Sequence, residues 1–390
     1  MTNPLLATPS GKTRARALGI PFDGHPGANN AITDVPGVEV GYCTLIEGSG
    51  GPLEVGKGPI RTGVTAILPC GLKRPDAAVW AGQHSLNGNG ELTGSWWIEE
   101  AGKADGPITI TNTHSCGVTR DATIEWLHKH ADSYGDGPSW GLPVAGETYD
   151  GWLNDINGFH VTREHTFQAI EAATAGPIEE GSVGGGTGMM LYGHKGGSGT
   201  ASRQVAHGGE IYHVGAFVQA NFGLRSQLTI AGIPMAEHLP GPEPYGEDTG
   251  SIIAAVATDA PLISHQCKRL ARRISLGVGK GGSISGHGSG DIFMAFSTAG
   301  SERHDRDEAV VSFDLIPDHR LDPFFEAVIQ AVDEAIMNVL AVSEEMVGID
   351  NHTAVALDRD RLVATLKQFD RYREPPGVKS LSSSSGSSKG

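Results

Sequence analysis

Four cysteines in 390 residues, Cys43, Cys70, Cys116 and Cys267, lie far apart with no C-x-x-C spacing. Such usage supports neither a disulfide framework nor a thiolate zinc site, and it makes a cytoplasmic location the expectation. No stretch approaches the ~20 uninterrupted apolar residues of a membrane span. The opening segment MTNPLLATPSGKTRARALGI has basic residues but lacks the apolar block of a secretory signal. Basic residues are also scarce, 29 against 45 acidic, for a formal net charge of -16. That balance argues against nucleic acid or an anionic membrane as partner. None of the sixteen histidines sits in an H-E-x-x-H pattern. His128 and His130 fall on a polar helix and are expected to be exposed, so neither a catalytic metal nor a cofactor is expected.

What the chain has in abundance is glycine, 56 residues, clustered in stretches such as EGSVGGGTGMMLYGHKGGSGT and GVGKGGSISGHGSGDIF. Clustered glycine between apolar strands implies tight turns and close backbone approaches, the texture of a site built by main-chain groups. GSVGGGTGMM lacks the G-K-[ST] ending of a phosphate loop and the G-x-G-x-x-G dinucleotide spacing, so it reads as a backbone-lined pocket or tight packing.

Strands are expected at 38–46, 62–69, 106–113 and 211–220, after Ser251, and at 307–316. Helices are expected after Thr119 or Asp121 as N-cap, after Thr162 and closing at Gly176-Pro177, after Asp259 with Pro261 in the first turn, and across 321–348. Residues 1–28 read as a lead-in and the Ser-rich end from 376 as a disordered tail. Strands and helices mix without strict βαβ alternation, which favours a layered α+β sandwich over a doubly wound sheet.

Several short stretches are able to do chemistry. In EPYGEDTGSIIAAVATDAPL (243–262), an acidic Gly/Pro-rich loop ends at Gly250-Ser251 and becomes an apolar strand at once. Gly-Ser before a strand is ordinary turn chemistry. It is also what self-cleavage requires: Ser251 attacks the Gly250 carbonyl, and the new α-amine serves as base beside its own hydroxyl. In SGHGSGDIFMAFS, Ser289 and Asp291 stand at i and i+2 and share a face if extended, or simply form a strand-entry turn. Asn221, ending VQANFG, suits a turn cap or a side-chain donor to an oxyanion. In PVAGETYDGWLND, Glu147 and Tyr149 read either as solvated surface or as an ammonium anchor and a contact near the reacting carbonyl.

Taken together these stretches resemble the DmpA-type L-aminopeptidase/D-esterases and the related β-peptidyl aminopeptidases. The matching blocks, among them PGANNAITDVPGVEVGYCTLI, NGNGELTG, GETYDGWLNDINGF, EGSVGGGTGMM, VGAFVQANFG and SGDIFMAFST, follow the family's order over about residues 15–350. The resemblance implies a four-layer αββα sandwich, made as one chain that cuts itself before an internal serine. It implies residues 1–250 as the larger chain, 251–375 as the smaller, and Gly250-Ser251 as the cut. Ser251 becomes the nucleophile, Ser289 a second hydroxyl positioned by Asp291 (glutamate in some members), and Asn221 an oxyanion donor. Glu147 becomes the anchor for the substrate's free amine, Tyr149 a transition-state or pocket contact, and Trp140 a pocket residue. The implied partners are small peptides or amino-acid amides and esters, and the implied assembly is a homotetramer. Two other readings stand beside it: an amidase for non-peptide amides, and an uncleaved small-molecule-binding protein.

Overall fold

The computed structural model describes residues 3–131, 140–244, 246, 250–304 and 308–376. Two sheets face each other. One holds β1 (Glu39–Glu47), β2 (Ile60–Leu68), β5 (Ile108–Asn112) and β6 (Ala145–Thr148), in that order. The other runs β4 (Lys103–Ala104), β3 (Val79–Gly88), β14 (Gly290–Ser297), β13 (Ser251–Thr258), β10 (Glu210–Asn221) and β9 (Gly197–His207). The short pairs β7–β8 (Met190–Leu191, His194–Lys195) and β11–β12 (Thr229–Ile230, Ile233–Pro234) form separate two-stranded sheets, and a short helix, α1 (Ser95–Ala101), precedes β4.

Three apolar seams make four layers. The inner seam joins Ile67, Ile108 and Ile110 of the first sheet to Phe217, Ile253, Met294 and Phe296 of the second. A second packs the outer face of the six-stranded sheet under α4 (Ser264–Lys280) and α5 (Asp322–Val342). A third packs Val64, Ala66 and Leu68 under α2 (Cys116–His130) and α3 (Arg163–Glu171). Strands covered on both faces must be apolar at successive positions rather than alternating, and β13 and β14 are buried at every residue. Helix α4 shows the complementary pattern, with Leu270, Ala271, Ile274 and Val278 on one buried stripe. The αββα expectation is met. No helix among the described residues is long and apolar enough to cross a membrane.

Several expected boundaries move. Helix α2 begins at Cys116, and Thr119, instead of capping it, turns its hydroxyl back onto the Cys116 carbonyl at 3.0 Å. Thr162 does cap α3, but the helix stops at Glu171, short of Gly176-Pro177. Asp259 does not cap α4; it accepts the His213 N–H at 2.6 Å, and the helix starts at Ser264. No strand forms over 308–316, where Phe313 packs its ring against those of Trp80 and His304; residue 307 lies outside the described residues. The tail expected from 376 lies, beyond that residue, outside the described residues.

The lead-in is firmly held. Arg14 pairs with Glu180 at 2.7 Å, both buried, and Arg16 with Glu334 at 2.6 Å. Arg203 reaches the same Glu334 at 2.8 Å. Burial alone pushes Glu334 upward, yet the Arg203 and Arg16 guanidiniums hold it below the usual carboxylate range.

Leu270, fully buried beneath α5, is expected to cost about 2–5 kcal/mol when truncated to alanine. Denaturant unfolding of Leu270→Ala against wild type measures this.

Candidate active site

The site lies where strands of both sheets end. β13 and β14 pair in parallel with Ser251 opposite Gly290. On the other side β13 pairs antiparallel with β10, which sets Asn221 opposite Ser251. Three adjacent strands thus deliver Asn221, Ser251 and the Ser289–Asp291 turn to one edge. From the facing sheet, β6 ends in Glu147 and Thr148, and Tyr149 follows.

The Gly290 N–H is the hub. It donates to the carbonyl oxygen of Gly250 at 3.1 Å and to Ser251 Oγ at 3.2 Å. The hydroxyl and the carbonyl of the Gly250–Ser251 peptide bond are therefore gathered on one donor. Both glycines are required for space. A Cβ on Gly290 would stand 2.1 Å from the Asn89 carbonyl, and one on Gly250 would stand 2.0 Å from that of Asn221. Ser289, fully buried, donates to Asp291 Oδ1 at 2.7 Å. The i, i+2 reading is thus realised, and the shorter carboxylate reaches its partner.

Asn221 is oriented at both ends. Its Oδ1 accepts the Met190 N–H at 2.8 Å, and its Nδ2 donates to the Tyr149 carbonyl at 2.9 Å. One amide hydrogen is left for another acceptor. Lys195 buttresses the β7–β8 hairpin behind it. Its ammonium is fully buried and bonds to the Met189 and Gly196 carbonyls at 3.1 and 2.8 Å.

Glu147 is buried, and its two oxygens accept from the Glu91 N–H at 2.9 Å and from the Thr113 hydroxyl. Burial raises its pKa and the nearby Glu91 charge adds to this, while the two donated bonds work against them. A cavity of about 630 Å³ is lined by Ser251, Glu147, Thr113, Tyr149, Glu91 and Gly288, whereas Asn221, Ser289 and Asp291 are not among its lining residues. Tyr149 is half-exposed, and its ring lies over Gly151, where a Cβ would meet the hydroxyl.

Trp140 is placed differently from its expectation. It stands 65% exposed, edge-on to Trp97 with ring centroids 5.5 Å apart, and it does not line the cavity. His128 and His130 are exposed, as expected. Among the described residues no cluster of three or more His, Cys, Asp or Glu is arranged to hold a metal ion. Sequence reasoning missed Glu91 and Thr113, which complete the Glu147 cradle, and Asn89, whose amide donates to the Gly288 carbonyl at 2.7 Å and ties β3 to the Ser289 turn. NGNGELTG was a visible block, but nothing in it announces a backbone donor for a residue 56 positions away.

Burial pushes the Lys195 ammonium down to about 7. Its unfolded value lies near 10.5, so the unfolded chain binds more protons between those values and stability rises with pH across that window. Lys195→Met is expected to flatten that rise, read as the difference in melting temperature between variant and wild type at pH 7 and at pH 9.5.

The Peptidase family S58 profile matches residues 30–354. The β-peptidyl aminopeptidase of Sphingosinicella microcystinivorans is 51% identical over 373 residues, covering 92% of this chain and 93% of the relative. That of Sphingosinicella xenopeptidilytica is 42% identical, covering 91% of each. Among solved structures, the L-aminopeptidase D-Ala-esterase/amidase of Ochrobactrum anthropi, a serine aminopeptidase with a variant of the Ntn-hydrolase fold, superposes with a TM-score of 0.87. It is 47% identical and covers 92% of this chain and 99% of its own. A Burkholderia β-aminopeptidase gives 0.83 at 43% identity, covering 91% and 99%.

Proposed function

Because the chain belongs to Peptidase family S58, we propose that it is a self-processing N-terminal-serine aminopeptidase cut between Gly250 and Ser251. The observation behind this reading is the shared Gly290 N–H, which polarises the Gly250 carbonyl while holding Ser251 Oγ beside it. In maturation, Oγ attacks the Gly250 carbonyl carbon and the C–N bond to Ser251 breaks. The departing amine takes a proton as the ester forms. Water then cleaves the ester, leaving a carboxylate on Gly250 and a free amine and hydroxyl on Ser251. Residues 1–250 become the larger chain and 251–375 the body of the smaller.

In turnover, a substrate's N-terminal ammonium pairs with Glu147 while Ser251 Oγ attacks its first carbonyl. The remaining Asn221 amide hydrogen and the Gly290 N–H receive the oxyanion; one such donor is worth about 2.7–4 kcal/mol. Ser289, held by Asp291, passes the proton between the hydroxyl and the leaving amine, a role shared with the Ser251 α-amine. The Tyr149 carbonyl fixes Asn221, and its side chain borders the reacting group. The acyl-enzyme is released by water. The substrates are short peptides and amino-acid amides or esters with a free amine. Residues with a β-amino group are included, since relatives at 51% and 42% identity are β-peptidyl aminopeptidases. A homotetramer of processed protomers in the cytoplasm completes the proposal.

The wild-type protein is expected to run as two pieces on a denaturing gel, with intact masses placing the break between Gly250 and Ser251, while Ser251→Ala stays whole. A Ser251→Ala chain that still divides there would sink the assignment. One uncut wild-type chain would favour the binding-protein reading.

Ammonium capture requires ionised Glu147, whose pKa is raised above the ordinary 4.5. The kcat/KM profile is expected to fall on its acid side at a pH above that value. Glu147→Gln is expected to raise KM and abolish that limb.

A further inference from the structure

We infer that Lys195 is a positioning residue for the oxyanion site, holding and polarising the peptide group that aims Asn221; this rests on the reading of Asn221 as an oxyanion donor. The Met189 carbonyl and the Met190 N–H belong to one planar trans peptide and point in opposite directions. The carbonyl accepts from Lys195 Nζ at 3.1 Å, and the N–H donates to Asn221 Oδ1 at 2.8 Å. At the far end of that side chain, Nδ2 donates to the Tyr149 carbonyl at 2.9 Å and keeps its second hydrogen for the oxyanion. A continuous chain thus runs from the ammonium through two amide groups to the reacting oxygen. Hydrogen bonds in such a chain polarise one another, so a positive charge at one end strengthens the donor at the other.

Closing the hairpin does not require a charge. The Gly196 N–H already donates to the Met189 carbonyl at 2.7 Å, β7 and β8 pair Met190 with Lys195, and the Tyr192 N–H donates to the Phe222 carbonyl at 2.8 Å. The Lys195 side chain is nonetheless fully buried. Burial, and then the like charge of Lys12, push its pKa down to about 7, and among the described residues no carboxylate pulls it back up. A cation placed there is costly, and it stays unneutralised until negative charge develops nearby. The oxyanion beyond Asn221 is such a charge, and it forms only on the way to the tetrahedral intermediate, where a favourable interaction accelerates the reaction. Lys195 does not line the cavity, so its influence on substrate passes through the 189–190 peptide. The hairpin has little slack to absorb a change there. A Cβ on Gly196 would stand 2.6 Å from the carbonyl oxygen of Ala220, the residue before Asn221 on β10.

The test measures hydrolysis of a β-amino-acid amide at pH 7 per processed active site, together with inhibition by two probes. One is a β-amino boronic acid, which Ser251 Oγ traps as a tetrahedral adduct with an oxygen at the oxyanion position. The other is the corresponding free β-amino acid. Wild type is expected to bind the boronic acid at least ~100-fold more tightly than the amino acid. Lys195→Met is expected to lower kcat and to weaken the boronic acid about tenfold each, while KM and the amino-acid affinity stay within about twofold of wild type. In an Asn221→Ala background the same change is expected to weaken the boronic acid by less than about twofold, because the group it acts through is gone. Lys195→Gln, a neutral donor to the same carbonyls, is expected to show the Lys195→Met pattern, and it decides the matter if Lys195→Met fails to fold or mature. A kcat within about twofold of wild type in the deciding variant overturns the inference. So does amino-acid affinity that falls in step with that of the boronic acid, which would make Lys195 a general prop. A further tenfold loss in the Asn221→Ala background also overturns it, by routing the effect past Asn221. Wild type that binds both probes alike, or Asn221→Ala that keeps the wild-type affinity for the boronic acid, removes the oxyanion reading and the inference together. Loss in Asn221→Ala with none in the deciding variant removes the inference alone.

Discussion

The parallel register that sets Ser251 opposite Gly290 is the constraint on which the rest of the site depends. Side chains alternate faces along a strand, so a slip of one residue would send the Ser251 hydroxyl to the opposite side of the sheet. It would also put a different N–H before the Gly250 carbonyl. The register is enforced by burial. Every residue of both strands is covered, and Ile253 and Met294 point to the inner seam while Ile252 and Phe293 belong to the outer one. A one-residue shift would therefore exchange fitted side chains in two cores at once. The apolar run after Ser251 is what makes the position of a single polar hydroxyl dependable.

A second constraint is crowding of the main chain around that register. Gly250 and Gly290 are not in the left-handed region of backbone conformation; they are glycine because neighbouring carbonyls occupy the space of a Cβ. The Asn87 amide donates to the Ser285 carbonyl at 3.2 Å, and the Asn89 amide to that of Gly288, so the turn before Ser289 is fastened to the end of β3. Catalytic geometry of this kind is held by groups already locked by packing and by hydrogen bonds behind them, which favours attack by keeping reacting atoms close without further ordering.

Layering was legible in the sequence because the two central strands are continuously apolar and the long helices carry clear stripes. Helix ends were less so. Thr119 and Asp259 have the right chemistry for caps, but Thr119 falls inside the first turn of α2, bonded back to the Cys116 carbonyl, and a distant backbone group, the His213 N–H, claims Asp259. The segment 308–316 has strand-forming residues, yet it pairs with no strand, and its Phe313 packs on the rings of Trp80 and His304 instead. Within the site, Ser251, Ser289 and Asp291 stood out because their relation is local, at a junction or at i, i+2. Glu91 and Thr113 did not, since they meet Glu147 only when the two sheets stack. Lys195 was invisible for another reason: its ammonium bonds to carbonyls, and a basic residue whose partners are backbone oxygens leaves no pattern of opposite charge to read.

Glu147 bears on the choice between a pocket that only binds and one that hydrolyses. A carboxylate buried there is disfavoured when the cavity is empty, as its raised pKa records, and an arriving ammonium relieves that cost. Such an anchor gives affinity for any amine, and a binding protein would need nothing more. It does not explain a backbone N–H shared between a hydroxyl and the carbonyl of the preceding peptide bond, nor a second buried hydroxyl tied to its own carboxylate. Both arrangements bury polar groups that amine binding alone does not call for. They are accounted for by the proposed mechanism, in which the amine is held at Glu147 so that the next carbonyl falls where the Gly250 carbonyl stands in the uncut chain. On this view the first substrate of the site is its own chain, and the geometry that receives later ones is the geometry that peptide bond leaves behind.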